Sequence, residues 1–398
     1  MPNFSDRIAG LTGGGDDGWG LFYRARAMVA AGEPVLELTI GEHDTRTSPA
    51  ILDAMAASAR GGHTGYAAVP GTAALRAAVA ERLTQTSGVA HGPENVLITP
   101  GGQAALFAAH HAACDPGDVA LMIDPYYATY PGTIRGAGAV PRAVATRPED
   151  GFQPRETDLA VAALSAQGAA RSLLINSPNN PTGAVYTAET MEGIARVVED
   201  HDLWLISDEV YDTQVWQGRH VSPRSLPGMA ERTLQVGSLS KSHAMTGSRC
   251  GWIVAPEDVT GHLIQLATNT NYGVAGFVQS AGLFALELGA AFEAEIAAPF
   301  RRRRDIVLDL VARQQAVRAI PAQGAMYAML DIRATGMSGE AFGMALLKDH
   351  HIAVMPGESF GDAAAGHVRL ALTVDDERLR EAVAVLLDFA GKIAEAQA

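Results

Sequence analysis

The 398-residue chain carries 30 lysines and arginines against 44 aspartates and glutamates, a net charge of −14. That balance gives no electrostatic reason to seek nucleic acid or an anionic membrane. Apolar residues make up 47% of it and charged ones 19%, which predicts a globular protein with more than one core. The two cysteines, Cys114 and Cys250, imply no disulfide framework and fit a reducing, cytoplasmic setting. The start MPNFSDRIAG lacks the basic and apolar regions of a secretory signal, and no apolar run is long enough to span a bilayer.

In chain order, GLTGGGDDGWG is expected to be an arm or loop, either a flexible terminus or a segment packing on a partner. TAALRAAVAERL places Leu75, Val79 and Leu83 on one helical stripe. VLIT from Val96 reads as a strand, QAALFAAHHAAC as a helix, VALMI from Val119 and LLIN from Leu173 as strands. TAETMEGIARVVED gathers Met191, Ile194, Val197 and Val198 on one helix face. LWLIS, LQV and GWIVA follow as strands at Leu203, Leu234 and Gly251. Short, wholly apolar strands between helices predict a mostly parallel sheet covered on both faces. Beyond residue 290 a long helical region contains Pro299, where a kink or break is expected. Strands at MYAMLDI, IAVM and HVRLALT then alternate with helices, a smaller α+β unit. The fold class is therefore α/β. Residues 1–45 form an arm and part of the small domain, 46–290 the large domain, and 291–398 the small C-terminal domain.

Ligands in open parallel sheets collect at the carboxyl ends of the strands. PGGQ follows the first large-domain strand and opens a helix, where backbone N–H groups and the helix dipole favour an anion. The later strand ends carry DPYYATYPG, SPNNPTG, DEVY and SLSKSHAMTG in turn. One crevice would thus hold an anion site, an aromatic face, an asparagine, an aspartate, a tyrosine and a lysine. That inventory fits an aromatic cofactor bearing a phosphate and an aldehyde: a lysine for the aldehyde, an aspartate for a pyridinium nitrogen, serines and Arg249 for the phosphate.

NSPNNPTG, SDEVY and SLSKSHAMTGSRCGW, in that order, resemble the signatures of the class I/II aminotransferases, fold-type I pyridoxal-phosphate enzymes. YAAVPGTAALR, PGESFG and HVRLALT extend the resemblance over nearly the whole chain. HVSPRSLPGMAERTL and SLSKSHAMTG are similar to bacterial arginine–pyruvate transaminases. The resemblance implies a seven-stranded large-domain sheet, pyridoxal 5′-phosphate as cofactor, and ping-pong transfer from an L-amino acid to a 2-oxo acid such as pyruvate. It implies that Lys241 forms a Schiff base with the cofactor, Asp208 pairs with its ring nitrogen, and Tyr211 and Asn180 bond its ring oxygen, with Pro181 cis. Tyr127 would stack on the ring. Gly102, Gln103, Ser238, Ser240 and Arg249 would hold the phosphate, joined by Tyr66 from the neighbouring subunit of a homodimer. Arg369 would clamp the substrate α-carboxylate, aided by Gly41 and Asn180.

The chain departs from the family's GxPDFDTP pattern at GEHDTRTS, Gly41 to Ser48, and has Ser248 where a tryptophan is common. Arg46 in a substrate pocket would oppose a cationic donor; the plainer expectation is that His43 and Arg46 face solvent. RRRR from Arg301 is expected to be a solvated helix face. His110, His111 and Cys114 read as packing or surface residues rather than a metal site, and Cys250 as packing. A carbon–sulfur β-lyase of the same fold would use the same lysine, aspartate and arginine. A non-catalytic cofactor-binding regulator is disfavoured by the acidic charge.

Overall fold

The computed structural model describes residues 4–15 and 18–397. Asp16 and Asp17, within the glycine-rich stretch, lie outside the described residues. Before them, Leu11 accepts a hydrogen bond from Arg135 Nη1 at 3.1 Å, so that part of the arm lies on its own subunit.

Among the described residues, twelve strands form two sheets. They are β1 (Leu36–Leu38), β2 (Val96–Thr99), β3 (Val119–Asp124), β4 (Val140–Ala145), β5 (Ala170–Asn176), β6 (Trp204–Asp208), β7 (Thr233–Ser238), β8 (Gly251–Val254), β9 (Arg318–Ala319), β10 (Tyr327–Asp331), β11 (Ile352–Pro356) and β12 (His367–Ala371). The seven-stranded sheet has the order β2-β8-β7-β6-β5-β3-β4, and β8 alone runs against its neighbours. Its inner strands are buried almost throughout, Arg171 of β5 being exposed, because helices cover both faces. The helix Ala188–Asp200 buries Met191, Ile194, Val197 and Val198, and Thr187 caps it by accepting from Thr190 N at 3.1 Å. The helix Ala73–Ser87 buries Leu75, Val79 and Leu83 and stops at Gly88, whose φ of 74° suits glycine. Each such buried aliphatic side chain contributes roughly 1.5–3 kcal/mol.

The five-stranded sheet, β1-β11-β12-β10-β9, is mixed: β1 runs parallel to β11 and the other pairs are antiparallel. One core of its own lies between it and the helices Gly289–Val311, Gly339–His350 and Asp376–Gln397.

Of the kink or break expected at Pro299, the break does not occur, since the helix Gly289–Val311 runs through it. Two expectations fail here. The arginine run is only half solvated, since Arg303 and Arg304 are buried. His43 does not face solvent: it is half-buried with its ring edge-on to Phe300 at 5.1 Å, whereas Arg46 is exposed as expected.

Candidate active site

The register of the large sheet sets out the site. Asn176 on β5 lies beside Asp208 on β6, Asp208 beside Val236 on β7, and Ser238 at the end of β7 beside Gly251 on β8. Thr99 at the end of β2 also pairs with Gly251. Five strand ends therefore meet on one edge. They open into a cavity of about 330 Å³.

At one end of the cavity is the N-terminus of the helix Gly102–Ala113, preceded by Gly101 at φ 80°. A side chain at Gly101 would lie 2.3 Å from Arg249 Nη2, and one at Gly251 2.8 Å from the carbonyl carbon of Gly101, so both positions must be bare for the turn to close on the sheet. Gly102, Gln103, Ser238, Ser240 and Arg249 line this end. Ser238 accepts from Ser240 N at 3.1 Å and donates to Cys250 O at 3.1 Å, which fixes its hydroxyl. Free N–H groups, two hydroxyls and a guanidinium make an anion cradle.

The middle holds Lys241, Asp208 and a group of aromatic hydroxyls. Lys241 Nζ donates to Gly41 O, and burial pushes its ammonium down to about 8. Asp208 is buried and pushed up to about 6 by desolvation. Its Oδ2 accepts from Tyr130 Oη at 2.6 Å and its Oδ1 from Val210 N at 3.3 Å. Tyr211 Oη and Tyr327 Oη are 2.8 Å apart, and Asn180 Nδ2 reaches Tyr327 Oη at 3.4 Å. Tyr127 lines the wall, its ring edge-on to Tyr130 at 5.7 Å. The Asn180–Pro181 bond is cis.

At the far end Arg369, in the middle of β12, is buried between the rings of Tyr327 and Phe360, each 4.4 Å from its guanidinium carbon. Nη1 donates to Asn180 Oδ1 at 2.8 Å and Nη2 to Thr39 O. Nε is buried and without a partner among the described residues. A guanidinium held so, with a donor to spare, is set up for a carboxylate.

All the residues singled out in the sequence line this cavity except Tyr66, which is 93% exposed on the outer surface with its ring 5.1 Å from that of Tyr272. The sequence reading did not pick out Tyr130, Tyr327, Phe360, Trp19, Glu42 and Thr246. Tyr130 and Phe360 sit inside quoted motifs, and an aromatic in an apolar strand such as MYAMLDI passes for core. Glu42 lines the cavity and accepts from Thr246 Oγ1 at 3.0 Å.

The arrangement fits pyridoxal phosphate: a cradle that would hold the phosphate, a buried carboxylate, bonded only by neutral donors, that would pair with the ring nitrogen, and an unusually acidic lysine. His110 is buried in the core and His111 packs edge-on to Phe107 at 4.7 Å. Cys114 Sγ lies 3.4 Å from Ser172 Oγ, and Cys250 is buried with its thiol pushed up to about 12.

Comparison with known proteins points the same way. Residues 33–386 match the family described as aminotransferase class I and II. The arginine–pyruvate transaminase AruH of Pseudomonas aeruginosa is 42% identical over 379 residues, 95% of this chain and 96% of that protein. The aspartate/prephenate aminotransferase of Thermus thermophilus is 36% identical over 364 residues, 90% of this chain and 92% of that protein. The solved structure of Thermus thermophilus aspartate aminotransferase with maleate superposes with a TM-score of 0.90 at 33% identity, covering 98% of this chain and all of that one.

Proposed function

The chain belongs to the class I and II aminotransferases, and on that premise we propose how its residues divide the work and which substrates it takes. It is a pyridoxal-phosphate-dependent enzyme that moves an amino group from an L-amino acid to a 2-oxo acid. When bound, the cofactor supplies an aldehyde that takes up the amino group and a protonated ring that draws off the electron pair left at the substrate α-carbon.

Lys241 Nζ, buried in the middle of the cavity, is the residue that would hold the cofactor's aldehyde and be set free when a substrate amine takes its place. With its pKa near 8, the freed Nζ is partly neutral at neutral pH, so it can take the α-proton and return it one carbon away. Asp208 holds the proton on the ring nitrogen, and Tyr130 and Val210 N keep its carboxylate in line. Tyr211 and Asn180 would bond the ring oxygen, and Tyr127 would cover the ring face. Gly102 N, Gln103 N, Ser238, Ser240 and Arg249 would bind the phosphate. Arg369, with Asn180 and Gly41, fixes the α-carboxylate so that the α-carbon stands over the ring. The observation that carries this reading is the convergence of Lys241, Asp208 and Arg369 on one cavity.

The active unit is a homodimer, in which Tyr66 from one subunit reaches the phosphate in the other. Its exposed aromatic ring beside Tyr272 supports that placement. The two buried free cysteines fit a cytoplasmic location.

The donor is a cationic amino acid of the arginine class and the acceptor is pyruvate. The 42% identity to an arginine–pyruvate transaminase supports this; so does Glu42, an acidic side chain lining the cavity apart from the charged residues assigned above to cofactor and carboxylate, whereas Arg46 is exposed. The test is the visible spectrum of the cofactor-loaded enzyme mixed with single amino acids and no oxo acid. Arginine should convert the absorbance of the bound cofactor fastest, and pyruvate should restore it. Faster conversion by aspartate overturns the donor. Release of ammonia and pyruvate with the starting spectrum regained would mean a lyase.

A further inference from the structure

Burying a guanidinium is costly unless its donors are met. Arg304 donates to Ala322 O at 3.1 Å and to its chain neighbour Asp305 at 2.6 Å, and its Nε has no partner among the described residues. Arg303 is used differently. Its two Nη atoms grip Asp44 bidentately, at 2.9 and 2.6 Å. Nη1 also donates to Leu372 O at 3.0 Å, and Nε to Asp376 Oδ1 at 3.2 Å. One buried fork thus joins two stretches of chain far apart in sequence.

Each stretch leads to the active site. Asp44 lies midway along residues 39–48, a strap between β1 and the helix Pro49–Arg60. The carbonyls of this strap face the reacting groups: Thr39 O accepts from Arg369, and Gly41 O from Lys241. Its far end is tied by Thr47 Oγ1 to Ala244 O at 2.6 Å. The other stretch leaves β12 just after Arg369, and Thr373 Oγ1 there bonds Ile40 O of the strap at 3.1 Å. Between its ends the strap is tied by Glu42, which accepts from Thr246 Oγ1 at 3.0 Å, and by Asp44, whose pairing with Arg303 is its one ion pair among the described residues.

We propose that Arg303 is a positioning residue for the transamination site: by gripping Asp44 and the end of β12 together, it fixes the strap carbonyls against Lys241 and Arg369. It touches neither substrate nor cofactor. The inference rests on the reading of Lys241 and Arg369 given above.

The test compares cofactor-loaded wild type with Asp44→Asn, Arg303→Lys and the double variant. Four quantities are read: kcat and KM for the amino donor, amide hydrogen exchange over residues 39–44, and Tm. Asp44→Asn keeps the shape and removes the charge. It should raise KM about tenfold with a smaller fall in kcat, because the carboxylate clamp loses its register. Exchange over 39–44 should quicken. Arg303→Lys keeps the charge and loses the fork, so it should move the same quantities the same way. The double variant should be no worse than the worse single one, as for two residues acting through one link. Unchanged KM, kcat and exchange over 39–44 would overturn the proposal, whatever happens to Tm. Should Asp44→Asn fail to fold, Arg303→Lys decides by the same readings. A Lys241→Ala enzyme that still transaminates would instead strike down the underlying reading of the site.

Discussion

Asp208 shows how much a single residue of this site costs the protein alone. Its carboxyl, buried among neutral donors, titrates near 6 instead of its ordinary 3.8. The folded chain then holds a proton between those values that the unfolded chain has lost. Stability therefore falls as pH rises through that window, and above pH 6 the full cost of ~3 kcal/mol is present. Asparagine has the same shape, can accept from Val210 N and can donate to Tyr130 Oη in place of accepting. Cofactor-free Asp208→Asn should accordingly melt above cofactor-free wild type at pH 7, with about half of that advantage left at pH 5. The same variant should bind cofactor more weakly, since no carboxylate faces the ring nitrogen. A Tm below wild type at both pH values would mean that the carboxylate serves the fold instead. Asp208 and Lys241 were legible in the sequence because they follow successive strand ends in one ordered set of motifs, and Arg369 through the likeness of HVRLALT to the family's pattern. Tyr327 was not: its hydroxyl, central to the cavity, differs by one oxygen from a core phenylalanine.

At the scale of elements, apolar pattern decided what could be read. The buried strands of the large sheet stand out as short apolar runs, and each was found near its true ends. β4 was missed, because it is an edge strand with Pro141 and mostly exposed or half-exposed side chains, so it lacks the run that marks its neighbours. The arginine run misled for the converse reason: its charges report composition, whereas burial depends on which helix face meets Asp44 and Asp376. The anion cradle is an element-scale device too, and it depends on Gly251. There an added methyl group would meet the Gly101 carbonyl carbon and Gly237 O at 2.8 Å and Gly102 N at 2.9 Å, all backbone atoms that cannot swing aside. Gly251→Ala must push the start of the helix Gly102–Ala113 off the sheet. We expect cofactor affinity, read by absorbance titration, to fall about tenfold or more. Gly247→Ala, in the neighbouring loop with nothing within 4 Å of the added carbon, should leave it unchanged. Equal affinity in the two variants would show that the cradle does not hold the phosphate.

At the scale of the whole molecule, the proposed dimer makes a specific demand on Tyr66: it must serve a site on another chain. Tyr66 lies outside its own chain's cavity and is almost fully exposed, though the motif around it resembles the family's phosphate-binding stretch. An aromatic hydroxyl displayed in this way suits a site completed from outside, and subunit mixing can test that. Lys241→Ala lacks the reacting amine, and Tyr66→Ala lacks the donated hydroxyl; at limiting cofactor each homodimer should be inactive or nearly so. If Tyr66 acts across the interface, a mixed dimer has one site with both defects and one with neither. Random exchange at equal amounts makes half the dimers mixed, each with one intact site of two, so activity should recover to about a quarter of wild type. If Tyr66 serves its own chain, every site in the mixed dimer carries one defect and mixing restores nothing. The recovered fraction separates the two arrangements, because two damaged proteins can make an undamaged site only when each subunit lends a residue to the other.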